Sequence, residues 1–296
     1  MNHRAKKPFL ITCLFAVAVA YAATMQSQDS RGILTRAAPP ADHRIAYGKD
    51  EFQFGELRLP KGAGPHPVAV VIHGGCWLAQ YGLSYMGHLS ADLTEAGIAT
   101  WSIEYRRIGN AGGGWPGTFE DVARATDYLR DLAKKYPLDL NRVVAMGHSA
   151  GGHLALWLAA RKNLPKGSPV YFAAPLPLRG VVSLAGITDL HKTGTACDKE
   201  VTQLMNGSAS YNQASPIELL PLKIRYSIVQ GDADPIIPAA MATEFAEAAK
   251  KKGDEAQLVL IEKAGHFEVV DPKSFAWPVV KKELLMLLKA DGQAKQ

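Results

Sequence analysis

A GxSxG turn between an apolar strand pattern and a helical pattern is the feature that most constrains how this chain can fold. Residues 143–153 are Val-Val-Ala-Met-Gly-His-Ser-Ala-Gly-Gly-His, with Ser149 at the centre of the turn. Strand and helix pack so closely around such a turn that a Cβ atom at Gly147 or Gly151 would collide, and the serine is forced into a strained conformation. The pattern therefore predicts a nucleophile elbow that presents the Ser149 hydroxyl at the end of a strand.

The first 22 residues have the composition of a signal peptide. Arg4, Lys6 and Lys7 precede an apolar run at 9–20, and small residues alternate up to Ala22. Because about a dozen apolar residues are too few to cross a bilayer, we expect cleavage near Ala22 and no stable membrane anchor. Removal of these three cations lowers the formal net charge from +5 to +2, which is not typical of a nucleic-acid-binding protein. The sequence predicts an exported protein, periplasmic or secreted.

The rest of the chain suits a single α/β domain after a short leader. Residues 23–43 are polar and small and have no periodic apolar pattern, so we expect a flexible leader. Residues 44–290 alternate strand-like apolar runs with helical patterns, which predicts a mostly parallel, eight-stranded sheet with helices on both faces. We expect an antiparallel edge pair and six parallel strands, at 44–48, 52–59, 68–72, 98–103, 142–146, 180–184, 224–229 and 257–261. The clearest helical patterns span 117–135 and 272–289, with Phe275 in the apolar stripe of the second.

One connection is longer than an ordinary crossover. Residues 186–222 have no clean helical period. Ligands of open α/β sheets bind above the carboxyl ends of the strands, where an insertion tends to cover the site. We therefore predict a small cap at 186–222.

A base and an acid for Ser149 follow the last two predicted strands. A serine hydroxyl is a poor nucleophile at neutral pH and needs a base, which in turn needs an orienting acid. Asp234 and His266 lie in this order after their strands, so we expect both to reach Ser149 at one edge of the sheet. Asp232 is the competing acid. We favour Asp234, which precedes a proline that fixes a turn, and expect Asp232 to make turn hydrogen bonds.

Two other histidines lie nearer to Ser149 in sequence, but neither is well placed as the base. His148 is inside the strained turn itself. His153 lies one turn along the following helix, where we expect it to pack against other helices.

Backbone donors for an oxyanion come from a glycine loop and from the start of the helix after Ser149. His73-Gly74-Gly75-Cys76-Trp77 follows the strand predicted at 68–72, and its glycines allow N–H groups to turn towards a ligand. Ala150 opens a helix whose dipole favours anions. We predict that the N–H groups of Gly74, Gly75 and Ala150 form an oxyanion hole.

These motifs together resemble the α/β-hydrolase superfamily, and within it the esterase branch with an HGGxW loop, which includes kynurenine formamidase-like and hormone-sensitive-lipase-like enzymes. The resemblance runs from about Arg44 to the last helix, and it implies triad roles for Ser149, Asp234 and His266. The segments in family order are His73 to Trp77, Glu104 to Arg107, Trp115-Pro116, Glu120-Asp121, 147–153, Ser215-Pro216, Asp234 and His266.

Three residues near the expected site have open assignments. Trp77 is a candidate substrate-binding residue that could form a wall of the acyl pocket, and the alternative is that it packs beneath the loop. After signal removal, Cys76 and Cys197 are the remaining cysteines. In an oxidising compartment they could form a disulfide between cap and loop, and otherwise they are two unrelated thiols. They have too few close ligands for a metal site, and we expect neither metal nor cofactor.

The leading hypothesis is a serine-dependent hydrolase of small carboxylic esters that acts through an acyl-enzyme. Its partner would be a small-molecule ester, not a nucleic acid. An arylformamidase and a polysaccharide-ester deacetylase use the same mechanism and remain alternatives. A non-catalytic binding scaffold of the same fold is a further alternative from a different class.

Overall fold

The computed structural model describes residues 30–192 and 194–289, and its strands form one eight-stranded sheet. Their order across the sheet is β1-β2-β4-β3-β5-β6-β7-β8. The β1–β2 and β2–β4 pairs are antiparallel and the others are parallel, so the predicted fold class is confirmed. The strands are β1 (His43–Ala46), β2 (Phe54–Arg58), β3 (His66–Ile72), β4 (Ala99–Ile103), β5 (Leu138–His148), β6 (Gly180–Leu184), β7 (Arg225–Gly231) and β8 (Ala256–Ile261).

Helices pack on both faces of the sheet, and strand β3 shows how the core is divided between them. Val68, Val70 and Ile72 belong to one buried cluster, and Ala69 and Val71 belong to the other, because successive side chains of a strand point to opposite faces. The α-helices are α1 (Gly87–Glu95), α2 (Gly117–Asp127), α3 (Leu129–Leu132), α4 (Ala150–Ala160), α5 (Asp198–Met205), α6 (Tyr211–Ala214), α7 (Ala239–Lys251) and α8 (Trp277–Leu288). Short 3₁₀ helices span Ser30–Leu34, Leu83–Met86, Arg161–Asn163 and Pro216–Leu219.

The last helix begins later than its apolar stripe predicted. The Ser274 hydroxyl oxygen accepts hydrogen bonds from the N–H groups of Ala276 and Trp277, both at 3.2 Å, as a capping side chain does at a helix start. Phe275 therefore precedes α8 and is 51% exposed. Its assignment to the buried stripe is wrong.

The second half of the expected flexible leader is folded against the domain, which corrects that prediction. Ile33 is fully buried in the cluster on the α8 face of the sheet. Arg36 donates to Asp271 at 2.6 Å and, through Nε, to His88 at 3.3 Å. One buried aliphatic side chain and one ion pair are enough to fix a short segment, but neither has a periodicity that a sequence pattern can reveal. The predicted signal peptide and residues 23–29 lie outside the described residues. No helix within the two described ranges is long and apolar enough to cross a membrane.

The predicted cap at 186–222 contains helices, and its second half is bound to the domain. The His153 ring on α4 contacts the Ala214 carbonyl through Nε2 at 3.0 Å, and Trp157 Nε1 donates to the Gln213 carbonyl at 2.9 Å. The 3₁₀ helix Pro216–Leu219 packs against both α4 and α7. The part around α5 is also packed on the domain, since Leu204 is fully buried and its carbonyl accepts the Trp115 N–H.

Candidate active site

Ser149 occupies a strained turn between β5 and α4. Its φ is 56°, a conformation that non-glycine residues rarely adopt, and its N–H donates to the Leu184 carbonyl at 2.8 Å. A Cβ atom on Gly147 would lie 2.0 Å from the Gly151 carbonyl oxygen, and one on Gly151 would lie 2.2 Å from that of Ile72. Only glycine fits at either position, as a nucleophile elbow requires.

Asp234 and His266 are brought together from the loops after β7 and β8. The His266 Nδ1–H group donates to Asp234 Oδ2 at 2.7 Å, and the side chains are 4% and 0% exposed, respectively. Since a carboxylate only accepts, the proton of a neutral His266 ring is on Nδ1. Nε2 then carries the lone pair with which a base takes a proton.

Donors surround the Asp234 carboxylate on both oxygens. Oδ1 accepts from the N–H groups of Ile236 and Ile237, and Oδ2 accepts from His266 and from Gln230 Nε2. Burial by itself raises the pKa of Asp234. The bonds from His266 and from the two backbone N–H groups outweigh it and hold this pKa below its usual value.

Asp232, the competing acid, lies in the adjacent turn. It is exposed, and its Oδ1 accepts the backbone N–H of Lys263 at 2.7 Å. This is the turn hydrogen bond that the sequence predicts for it, and it is Asp234 that contacts His266.

Ser149 and His266 line the same cavity, whose volume is about 330 Å³. In the described ranges no hydrogen bond joins the Ser149 hydroxyl to His266 Nε2. Such contacts are often long without substrate and shorten in the Michaelis complex. The candidate nucleophile Ser149 and the candidate base His266 therefore face one cavity.

The glycine loop after β3 differs from the expected oxyanion hole at one position. The Gly74 N–H donates to the Tyr85 hydroxyl oxygen at 2.7 Å, so it is already bonded within the protein. The Gly75 N–H has no acceptor among the described residues, and Ala150, as the first residue of α4, has no intrahelical acceptor. The N–H groups of Gly75 and Ala150 are therefore free of acceptors from the described part of the chain at this point of the site, whereas that of Gly74 is not.

The start of this loop is held by residues from the end of β4. His73 Nε2 contacts Glu104 Oε1 at 2.8 Å, and the Tyr105 hydroxyl donates to the His73 carbonyl at 2.9 Å. Burial raises the pKa of Glu104, but His73 and then Arg107 outweigh it and lower this pKa overall. The segment from Glu104 to Arg107 therefore anchors the loop, a role that the sequence did not reveal.

Trp77 packs beneath the loop and is not part of the cavity wall. It is fully buried, and its ring meets that of His153 edge-on with centroids 5.2 Å apart. Its assignment as a substrate-binding residue is wrong, because the loop backbone with φ of 48° at Cys76 and 57° at Trp77 turns this side chain into the core.

A disulfide joins Cys76 in the loop to Cys197 at the start of α5, across a sequence separation of 121. Gly75 and Cys76 line the cavity on one side, and Ala196 and Glu200 line it from the α5 segment. The bond therefore ties the cap portion of the chain to the loop that carries the Gly75 donor.

We expect the Cys76→Ser/Cys197→Ser double variant to unfold more easily, by about 2–4 kcal/mol, since the bond closes a long loop in the unfolded chain. Urea unfolding of both proteins, with and without reductant, measures this. Reductant should lower the free energy of unfolding of the wild-type protein and leave that of the double variant unchanged. Two titratable thiols in unreduced, denatured wild-type protein lacking its first 22 residues would contradict the prediction.

Two residues of the site were given no catalytic role from the sequence. Tyr85 and His148 are both buried and both line the cavity beside Ser149. Neither belongs to a triad pattern, and their contacts depend on loops that meet only in the folded chain.

The described ranges hold no group of three or more His, Cys, Asp or Glu side chains arranged to bind a metal.

Comparison with known proteins places the chain among esterase-like sequences. It is 24% identical over 279 residues to the probable isoprenylcysteine alpha-carbonyl methylesterase ICMEL1 of Arabidopsis thaliana, covering 86% of this chain and 57% of that protein. It is 24% identical to Esterase LipQ of Mycobacterium tuberculosis, covering 63% of this chain and 46% of that protein. The chain thus spans about half the length of these curated relatives.

Solved structures show the same fold. A truncated carbohydrate esterase from gut microbiota matches with a TM-score of 0.73 and 21% identity, covering 85% of this chain and 99% of that one. The apo form of Thermogutta terrifontis esterase 2 matches with a TM-score of 0.72 and 20% identity, covering 87% and 99%. The expected α/β-hydrolase fold is confirmed. Because the BD-FAE family profile matches residues 56–249, more than half of the chain, this protein belongs to the BD-FAE family.

Proposed function

We propose that this protein is a serine-dependent hydrolase of small carboxylic esters. The observation that carries the proposal is that His266, bonded to the buried Asp234 side chain, lines the same cavity as Ser149 in its strained elbow. The esterase names of several relatives and structural neighbours support the same reaction class.

In the proposed reaction the Ser149 oxygen attacks the ester carbonyl while His266 Nε2 takes the hydroxyl proton. Asp234 stabilises the imidazolium through the 2.7 Å bond at Nδ1. The carbonyl oxygen becomes an anion and receives hydrogen bonds from the N–H groups of Gly75 and Ala150, near the positive end of the α4 dipole. His266 then returns its proton to the leaving alcohol, and water attacks the acyl-enzyme by the same path in reverse.

The cavity walls favour a small, uncharged ester. Leu34, Ile236 and Phe267 give the cavity an apolar lining, and Leu34 belongs to the N-terminal segment anchored by Ile33. The half-buried Glu200 carboxylate adds a negative charge to the wall. We therefore propose that acyl or alcohol groups with a carboxylate of their own bind poorly.

We expect Leu34→Trp to shorten the accepted acyl chain, because the larger side chain takes volume from a cavity of about 330 Å³. Relative to p-nitrophenyl acetate, kcat/KM for p-nitrophenyl hexanoate should fall by about 10-fold or more, since steric exclusion of a methylene costs roughly 1–3 kcal/mol. Leu285→Trp is the matched control, because Leu285 on α8 is 37% exposed where Leu34 is 39% exposed. If the ratio of kcat/KM for the hexanoate to that for the acetate is unchanged in Leu34→Trp, the N-terminal segment does not limit the length of the acyl chain.

A fluorophosphonate probe followed by peptide mapping tests the reaction class. The probe should modify Ser149 in folded protein, and absence of the adduct would favour the non-catalytic scaffold. Initial rates on p-nitrophenyl esters of increasing acyl length, on N-formylkynurenine and on acetylated xylan then separate a simple esterase from an arylformamidase and from a polysaccharide-ester deacetylase.

We also propose that the protein is exported after cleavage near Ala22. The basic and apolar pattern of the first 22 residues supports this, and so does the Cys76–Cys197 disulfide, because such bonds persist mainly in oxidising compartments. N-terminal sequencing of protein recovered from the extracytoplasmic fraction is the test. Recovery of the uncleaved chain in the cytosol would contradict it.

A further inference from the structure

A chain of buried hydrogen bonds runs from the glycine loop to the backbone of His266. The Gly74 N–H contacts the Tyr85 oxygen at 2.7 Å, and that oxygen lies 2.9 Å from His148 Nδ1. On the other side of the ring, His148 Nε2 lies 2.9 Å from the His266 carbonyl oxygen. Two side chains thus connect the loop before the Gly75 donor with the residue that carries the base.

The chemistry of the partners fixes the direction of every bond in this chain. A backbone carbonyl only accepts, so His148 Nε2 must carry a proton and donate a hydrogen bond to the His266 carbonyl oxygen. In a neutral ring Nδ1 is then an acceptor, so the Tyr85 hydroxyl donates to it, and the Tyr85 oxygen accepts from Gly74. Reversal of any one bond would leave two donors or two acceptors facing each other.

Burial keeps both side chains in these protonation states. His148 is 1% exposed and Tyr85 is 5% exposed. Burial, followed by the neighbouring His266, lowers the pKa of His148 well below its usual value, and burial raises that of the Tyr85 hydroxyl. Around neutral pH the ring is uncharged and the phenol is protonated, so the chain has one arrangement.

One end of this chain lies against Ser149, and the other end is His266, which lines the same cavity as Ser149. A Cβ atom on Gly74 would be 2.8 Å from the Ser149 Cβ, so the loop lies against the serine. The His148 and His266 rings are 4.5 Å apart between centroids. Displacement of either end would move the Gly75 N–H or the His266 ring relative to Ser149.

We propose that Tyr85 and His148 are positioning residues, which together fix the positions of the glycine loop and of the His266 ring relative to Ser149. The inference rests on the proposed ester hydrolysis. The polar atoms of both side chains are bonded to protein groups, so their role is exerted through Gly74, Gly75 and His266. It also explains why the Gly74 N–H is not an oxyanion donor: this N–H is the anchor of the loop.

Tyr85→Phe removes one oxygen and leaves the Gly74 N–H and His148 Nδ1 without partners. We expect kcat on a p-nitrophenyl ester to fall by about 10- to 100-fold, as for a small misplacement of catalytic groups, with little change in KM. Tyr226→Phe is the matched control. Tyr226 lies near the start of β7, at the opposite end of that strand from the loop that carries Asp234, and its buried hydroxyl donates to Asp254. The Tyr226→Phe variant should have a lower free energy of unfolding than the wild-type protein but the same kcat.

A second pair of variants and a spectroscopic measurement test the role without relying on Tyr85→Phe. His148→Gln keeps one donor and one acceptor and should retain more activity than His148→Leu, which keeps neither. In wild-type protein, nitrogen NMR of labelled histidine should show His148 as the neutral Nε2–H tautomer across neutral pH. An Nδ1–H tautomer would overturn the inference even if every variant failed to fold.

The failure of this inference is distinguishable from failure of the proposed function. If fluorophosphonate does not modify Ser149 in the wild-type protein, the proposed hydrolysis is wrong. If wild-type protein is modified and turns over ester, but Tyr85→Phe matches it in kcat, then ester hydrolysis stands and the positioning role is wrong.

Discussion

Ser149→Ala should eliminate ester turnover and leave the fold unchanged. The substitution removes the only atom proposed to bond to the acyl group, and loss of the nucleophile of a serine triad lowers kcat by about 10⁶-fold. Alanine is no more strained than serine at φ 56°, and the residue is already buried, so the free energy of unfolding should change little. The measurements are kcat on a p-nitrophenyl ester and the urea midpoint of both proteins.

Ser183→Ala is the matched control for this prediction. Ser183 lies on the neighbouring strand β6, and its buried hydroxyl has no hydrogen-bond partner among the described residues. The same chemical change there should leave kcat intact and cost no stability, since no bond is lost. Activity in Ser149→Ala near the wild-type level would mean that another group is the nucleophile, and a fluorophosphonate adduct on that group would identify it.

The parts of the site that the sequence predicted are those that depend on local pattern and chain order. Ser149 has its conformation because strand, two glycines and helix follow one another directly, and this arrangement is visible in eleven consecutive letters. Asp234 and His266 come next to each other because both follow parallel strands that are neighbours in the sheet. The six strands β3 to β8 were likewise predictable, since buried parallel strands are nearly continuous apolar runs. The antiparallel edge pair β1 and β2 was predictable from its alternating pattern.

The parts that the sequence did not predict depend on contacts between distant segments. Nothing near Gly74 indicates that Tyr85 takes its N–H, and nothing near His148 indicates that its ring bonds to the His266 backbone, 118 residues away. Ile33 is buried on the α8 face of the sheet, although Ile33 and Leu34 form no periodic apolar pattern with the residues around them. The histidine inside the predicted elbow is the one sequence signal that could have directed attention to this network.

Asp234→Asn should lower kcat by about 10⁴-fold, whereas Asp232→Asn should leave it nearly unchanged. The carboxylate at 234 accepts on both oxygens, from two backbone N–H groups on one side and from His266 on the other. An amide has a single oxygen, so one side must face an NH₂ group. The backbone N–H groups cannot adapt, but the imidazole can change its tautomer.

The adapted tautomer explains the expected size of this loss. In Asp234→Asn the amide NH₂ would donate to His266 Nδ1, and the ring proton would move to Nε2, the atom that must accept the proton of Ser149. Asp232→Asn keeps the oxygen that accepts the Lys263 N–H and is therefore the matched control. Nitrogen NMR of labelled His266 should show the tautomer change in Asp234→Asn alone, with kcat and the urea midpoint measured on both variants. A larger loss of kcat in Asp232→Asn than in Asp234→Asn would contradict the prediction. It would mean that Asp232, and not Asp234, orients the base during turnover.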